Sequence, residues 1–481
     1  MVLTDMAQAD QTQADQTRPE HAGASRRPLE GVRVFEISIA VAAPCCGRAM
    51  AHHGAEVFKV EARSYPDVAR AFGSAWARDP ELADVFCDTS PYVPEMSCGK
   101  RSVGLELKLP EALAAAKRLL ATCDVFLTNF AAPGIAELGL DYASVAEVSP
   151  SIVYAGMTGF GVDPAMPYYS FRAFGPNQAP LVGWDALTGF PHEAPAGIPS
   201  IAPPDYIGGL HTMAAIVTAL RERDRTGAGR FIDISQLETT VSFLGPYLLG
   251  QDLGVPEPRR NGNRVPWAAP AGIYRCAGDD RWVAVEVPSD EAWQSLAELA
   301  EWSSIEAHDG SGRPALSRYP HDTLADRISH HDAIDAELSA WTARRSPAQA
   351  AAELQMLGVA AYEVLDHRGV MTDAQVHDRR PYSVAPSPRL GRDLFVRNPL
   401  RMSRTPPYVA RAGPNMGGDT VDVLSEIGYS DAEVAQLVTD GAAFTDARPE
   451  TVLERPFDRW YEELGFAEFY DGEGNAPGGR Q

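Results

Sequence analysis

The chain predicts an α/β protein whose larger part is an open, doubly wound sheet of the Rossmann-like kind, joined to a smaller α+β domain. Two observations carry this. Short apolar runs alternate with helical periods from residue 32 to about 157, and past Asn261 the texture changes to a hairpin followed by helices.

The first unit is β-α-β. Val32-Arg33-Val34-Phe35-Glu36-Ile37 reads as a strand, a helix follows from Pro44 to His53, and Gly54 stops it before the strand Glu56–Glu61. The stretch 65–96 has no clear period and reads as a surface excursion. A strand at 101–108, a helix from Pro110 to Cys123, a strand at 124–129, a helix at 141–148 and a strand at 152–157 continue the alternation. Ligands of such sheets lie at the strand carboxyl ends, where Asn129 and Thr158 fall. No GxGxxG and no GxxxxGK[ST] occurs, so neither a dinucleotide nor a P-loop site is indicated.

Pro203-Pro204-Asp205 opens the longest helical period, with Ile207, Leu210, Ala214, Ile216, Val217 and Leu220 as its apolar stripe and Gly227-Ala228-Gly229 as its stop. Asp205 falls where a helix N-cap belongs. The helix dipole and unpaired N–H groups there favour an ionised carboxylate. Two readings stand together: a simple cap, or a nucleophile beside Gly208-Gly209, where a ligand can approach closely. His211 falls toward the buried side of the same helix and reads as a packing residue.

In the second part, 272–276 and 281–287 flank Ala277-Gly278-Asp279-Asp280, a hairpin signal. Helical periods follow at 289–300, 332–344 and 347–357, then a strand near 359–365. The Pro-, Arg- and Gly-rich stretch 385–418 returns the chain to the first domain, and short helices follow at 419–428 and 431–439. The expected domains are a disordered tail at 1–27, a large domain at 28–250, the small domain at 251–384, the return at 385–470 and a loose tail at 471–481.

Lysine and arginine number 42 against 65 aspartates and glutamates, a net charge of −23. That excess argues against nucleic acid as a partner. The six cysteines lack metal-ligand spacing and suit a reducing, cytoplasmic compartment, and no apolar run is long enough to span a membrane. An anionic ligand needs a local basic patch, for which Arg63, Lys100, Arg101, Lys108 and Arg172 fall beside strand ends or loops of the first domain; ordinary solvated charge is the competing reading.

Taken together, several stretches resemble successive signatures of the family III CoA-transferases, the formyl-CoA transferase and carnitine CoA-transferase group. They are Pro28–Val34, Gly54–Glu61, Gly99–Val103 with Leu105-Glu106-Leu107-Lys108, Asn129-Phe130, Gly159-Phe160-Gly161, Asp205 with its helix, Arg225–Arg230 and Gly272-Ile273-Tyr274. The resemblance covers roughly residues 28 to 440. It implies an interlocked homodimer and transfer of CoA from an acyl-CoA donor to a carboxylic acid, with neither metal nor redox cofactor. It makes Asp205 the nucleophile, passing through an aspartyl anhydride and an aspartyl-CoA thioester. It maps CoA contacts onto Ala40, Leu105, Lys108, Asn129, Phe130 and Arg172, with Arg63 next to a basic position that is Ala62 here. Phe174-Gly175 stands where the family often carries an aromatic-acidic pair, and departures from the formyl-CoA branch fall at Val41 and Glu137 and at Asn261-Gly262-Asn263, where that branch carries a glycine-rich loop. Two alternatives stay open: a 2-methylacyl-CoA racemase, whose acid/base pair would fall on Gly175 and Ala143, and a non-catalytic acyl-CoA-binding protein.

Overall fold

The computed structural model describes residues 27–70, 90, 92–198, 202–254, 260–297, 323–379, 381–387, 391–405, 409 and 411–445. The expected tails at 1–27 and 471–481 lie outside these residues but for Arg27, as does much of the 65–96 excursion. The strands are β1 (Arg33–Ile37), β2 (Glu56–Glu61), β3 (Arg101–Leu105), β4 (Val125–Thr128), β5 (Val153–Thr158), β6 (Arg230–Ser235), β7 (Ala271–Arg275), β8 (Trp282–Glu286), β9 (Ala360–Glu363), β10 (Tyr382–Ser387), β11 (Gly391–Val396) and β12 (Ala443–Phe444).

The main sheet has the order β12-β3-β2-β1-β4-β5-β6. Every neighbouring pair is parallel except β12 against β3. The order reverses at β1, which pairs with β2 on one side and β4 on the other. Such a reversal opens a crevice beyond the strand carboxyl ends.

Period-two alternation explains why helices cover both faces. Val34, Val57, Val125, Leu127 and Val153 share one cluster with Ala42, Cys46, Met50, Ile216 and Leu220, on the helices Ala42–His52 and Pro203–Thr226. Phe35, Phe58, Val103, Phe126 and Tyr154 point the other way, to Ala112, Leu119, Val145, Val423 and Leu437 on the helices Pro110–Leu120, Tyr142–Val148, Thr420–Glu426 and Asp431–Thr439. Both faces are buried, as parallel strands require.

Two compact units divide the chain. One comprises the described parts of Met1–Phe174, Pro203–Thr240 and Arg380–Gln481, the other those of Gly175–Ala202 and Val241–Arg379. Residues 175–202 and 241–250, expected in the large domain, therefore group with the second unit, and the return begins at Arg380, five residues before the expected 385. The tie is local: Arg260 donates to the carbonyls of Ala186 and Glu193. The second unit has its own antiparallel sheet, β7-β8-β9. Its core gathers Tyr274, Val283 and Val285 with Trp293, Leu338, Trp341 and Leu354 from the helices Asp290–Ala297, His331–Thr342 and Pro347–Met356. Gly278 and Asp280 both take positive φ in the expected hairpin turn.

The first unit holds four strands that the sequence reading lacks: β6, β12 and the antiparallel pair β10-β11, which lies largely within the stretch read as an irregular return. β6 runs Arg-Phe-Ile-Asp-Ile-Ser, and its exposed polar positions mask the apolar run. β12 is only two residues long. Among the described residues no helix is long and apolar enough to cross a membrane.

Candidate active site

The helix Pro203–Thr226 starts two residues before Asp205, which therefore lies inside the first turn and not at the cap. Its buried residues include Gly208, Gly209, Thr212, Ile216, Ala219 and Leu220, whereas Leu210 and Val217 from the expected stripe are exposed. Glycine moves the buried face. A Cβ on Gly209 would stand 2.6 Å from Ala42 O and 3.3 Å from Cys45 Cβ, so this helix crosses Ala42–His52 at backbone distance. His211 correspondingly lies on the exposed side, its Nδ1 2.8 Å from Ile207 O.

That crossing brings Asp205 to the loop after β1. Val41, Cys45 and Met96 form a small apolar cluster against which Ala40 and Tyr206 pack. Asp205 itself is half-buried, and Gln236 Nε2 donates to its Oδ1 at 2.6 Å. Burial pushes the Tyr206 hydroxyl up, opposed by the Arg48 cation. It also pushes the Cys45 thiol up, against Arg48 and Lys100, and the charge of Asp205 adds to the rise. Both groups are thereby kept neutral beside the carboxylate.

The loop Ser38–Ala40 is held from both sides. Asn129 accepts from Ile39 N at 2.9 Å and donates to Ile39 O at 2.8 Å. Asp67 Oδ1 accepts from Ala40 N at 2.7 Å, and Lys59 ties Asp67 Oδ2 at 2.8 Å to Ser38 O at 3.2 Å. Ala40 needs this support. Its φ of 59° is left-handed, a conformation that costs a non-glycine residue roughly 1–2 kcal/mol.

The other expected contacts follow the strand ends in turn. Phe130 succeeds β4, its ring 5.8 Å from that of Tyr65. Arg63 succeeds β2, donates to Thr445 O and lies 4.5 Å over the Phe444 ring. Leu105 ends β3 with no exposed surface, beside Ala443 of β12 and with its carbonyl accepting from Leu107 N at 3.1 Å, so the expected CoA contact there is not supported: the residue is spent on the sheet and the core. Lys108 and Arg172 are exposed. Lys100 and Arg101 are committed elsewhere. Lys100 is buried on Glu36 Oε1 at 2.8 Å and Pro44 O at 2.9 Å, and Arg101 bridges Glu56 and Glu426. Neither is available to a phosphate.

Gln236, Asp67, Lys59 and Glu36 escape the sequence reading. A signal for three of them exists: a charge inside an otherwise apolar parallel strand, or just beyond one, must find a partner. Gln236 offers no such signal. No group of His, Cys, Asp and Glu among the described residues is arranged to hold a metal ion.

A family model described as CoA-transferase family III matches residues 29–420. The succinyl-CoA–D-citramalate CoA-transferase of Chloroflexus aurantiacus is 28% identical over 414 residues, spanning 85% of this chain and 97% of that protein. The succinate–glutarate CoA-transferase of Agrobacterium fabrum is 29% identical over 407 residues, spanning 83% and 96%. A formyl-CoA:oxalate CoA-transferase of Rhodopseudomonas palustris is 25% identical over 438 residues, spanning 86% and 97%. The crystal structure of a CAIB/BAIF family protein from Brucella suis superposes with a TM-score of 0.70 at 25% identity, covering 84% of this chain and all of that one. With the model spanning both units, the chain belongs to CoA-transferase family III.

Proposed function

We propose that the protein moves CoA from an acyl-CoA donor to a carboxylic acid acceptor by covalent catalysis at Asp205. The observation that carries this reading is a half-buried carboxylate in the first turn of a helix, held by an amide at 2.6 Å, with the next residue, Tyr206, packed on the same apolar cluster as Ala40 of the loop after β1.

A carboxylate oxygen of Asp205 attacks the thioester carbon and expels CoA thiolate, leaving a mixed anhydride. The thiolate attacks the aspartyl carbon, releases the donor acid and leaves an aspartyl-CoA thioester. The acceptor carboxylate attacks that thioester, which gives a second anhydride and thiolate again. Attack of thiolate on the acceptor's acyl carbon then yields product acyl-CoA and the free carboxylate. Electrons balance without a metal or a redox cofactor. CoA is proposed to lie along the strand ends, against Ala40, Asn129 and Phe130, with Arg63, Lys108 and Arg172 facing its phosphates.

The reading extends to a Rossmann-like CoA-binding domain and to a cytoplasmic homodimer. Exposed apolar side chains support a second copy: Leu210 and Val217 on the long helix, and Leu248, Leu249 and Leu253 further along. A gel-filtration and light-scattering mass that stays dimeric on dilution is expected, and a monomer at all concentrations contradicts it. A racemase would exchange the α-hydrogen of 2-methylacyl-CoA in deuterated water; no exchange is expected here.

The test is Asp205→Ala, assayed with a panel of acyl-CoAs and free acids that includes succinyl-CoA and formyl-CoA. Transfer is expected to fall by several orders of magnitude, on the order of 5 kcal/mol in the barrier, while CoA still binds. A variant keeping a tenth of wild-type transfer removes Asp205 from the mechanism.

A further inference from the structure

Gln236 opens the helix Gln236–Phe243 directly after β6 and is 5% exposed. Its place is fixed from several sides. The preceding Ser235 is paired with Thr158 of β5, and Leu237 N donates to Gly159 O at 3.0 Å. The Gln236 carbonyl accepts from the hydroxyls of Thr239 at 2.9 Å and Thr240 at 2.8 Å. The side-chain stem passes over Gly208, where an added Cβ would stand 3.3 Å from Gln236 Cγ and 3.2 Å from Met157 Sδ. The missing side chain at 208 is therefore the opening through which the amide reaches Asp205 Oδ1. Facing a carboxylate, the amide presents its NH2 end, because its carbonyl end would set two acceptors against each other. A bond of this length to a carboxylate is of the stronger, charge-assisted kind.

We propose that Gln236 is a second catalytic residue, which fixes Oδ1 of Asp205 as the oxygen that stays a carbonyl and donates to the charge that builds on it. The inference rests on the covalent reading above. Oδ2 is then the attacking oxygen and becomes the bridge of the first anhydride. When CoA thiolate adds to the aspartyl carbon, a C–S bond forms and the carbonyl pair moves onto Oδ1, toward the Gln236 N–H. Collapse breaks the bond from the aspartyl carbon to Oδ2, which leaves with the donor acid. The acceptor carboxylate adds to the same carbon, charge again develops on Oδ1, and thiolate departs. The last step breaks the bridge on the acceptor's side, so Asp205 keeps one oxygen from the acceptor. Oδ1 never leaves. Two of the four steps pass through an oxyanion on it, and one preorganised donor at such an oxyanion is worth about 100-fold or more in kcat.

Oxygen labelling reads this directly. The full-length enzyme is turned over many times with an acceptor acid carrying oxygen-18 in its carboxylate, and the peptide holding Asp205 is weighed. One label in Asp205 is expected, because only the Oδ2 site exchanges. Two labels overturn the proposal, since the carboxylate then rotates freely between turns. No label overturns the covalent reading itself, and the proposal with it. Gln236→Leu, and Gln236→Glu as the variant of the same shape, are both expected to admit two labels. Each should lower kcat about 100-fold with the KM for acyl-CoA unchanged. If either folded variant keeps wild-type kcat and a single label, Gln236 has no part in the reaction.

Discussion

Two sets of charged side chains serve the main sheet in opposite ways. Glu36, Lys59, Glu61, Asp67, Arg70 and Lys100 are all buried and all paired. Arg63 and Lys108 stand just beyond β2 and β3, Arg172 lies in the segment between β5 and the helix Gly175–Leu181, and all three are exposed. The inner set holds the loop that frames the site, for Lys59 and Asp67 fix Ala40, and Lys100 joins Glu36 on β1 to the carbonyl of Pro44. Burial pushes the Lys100 pKa down, while Glu36 pulls it back up. Burial also works against Glu61, yet the bidentate Arg70 outweighs it and holds the carboxyl at about 2. The lesson is that depth decides whether a cation stabilises or binds: a buried one is spent on its partner, and an exposed one is open to a ligand.

Breaking the inner set should cost most. Glu36→Gln leaves Lys100 buried with half its compensation, so urea unfolding is expected to show a loss of about 3–5 kcal/mol. A loss below about 1 kcal/mol would mean that the network is not a structural tie.

Next comes a pH effect at the edge of that network. His52 is buried with Nε2 3.3 Å from Cys98 Sγ, and burial, then Arg48, His53 and Lys100, lower its pKa to about 3. The unfolded chain takes up this proton near pH 6.5 and the folded one does not. Stability from this group is therefore full above pH 6.5 and falls as the pH drops toward 3, by about 3 kcal/mol between pH 6.5 and 4. His52→Gln should flatten the acid limb of the stability curve, and an unchanged limb would place the proton uptake elsewhere.

A smaller effect comes from steric room. Gly47 lies in the helix Ala42–His52, and a Cβ there runs into Glu36 Oε2. Alanine usually gains about 1 kcal/mol over glycine inside a helix. Gly47→Ala should instead lose about 2 kcal/mol through overpacking, read by thermal unfolding. The outer set should barely register in stability. Arg172→Ala is expected to shift it by less than about 0.5 kcal/mol while raising the KM for acyl-CoA about tenfold. An unchanged KM takes Arg172 out of the CoA contacts.

How much of this was legible follows from the same contrast. The β1 and β2 runs announce themselves by apolar content, and Gly54 and Pro110 punctuate them, so the strands up to β5 and the three helices read among them fall within a few residues of where the pattern puts them. The short helices Tyr92–Ser97 and Ala132–Glu137, by contrast, are too brief to show a period. The long helix was found, but its buried face was not, because Gly208 and Gly209 pack closely without adding hydrophobicity. Asp205 stands out by its prolines and its helix start. Gln236 does not, since its role depends on β6 lying beside β5 and on the opening over Gly208, which only the fold creates.

The covalent role of Asp205 is tested most directly by hydroxylamine trapping. The account predicts that hydroxylamine inactivates the enzyme only in the presence of acyl-CoA, and that the hydroxamate maps to the peptide carrying Asp205. Inactivation that needs no acyl-CoA, or a hydroxamate on any other residue, would contradict it.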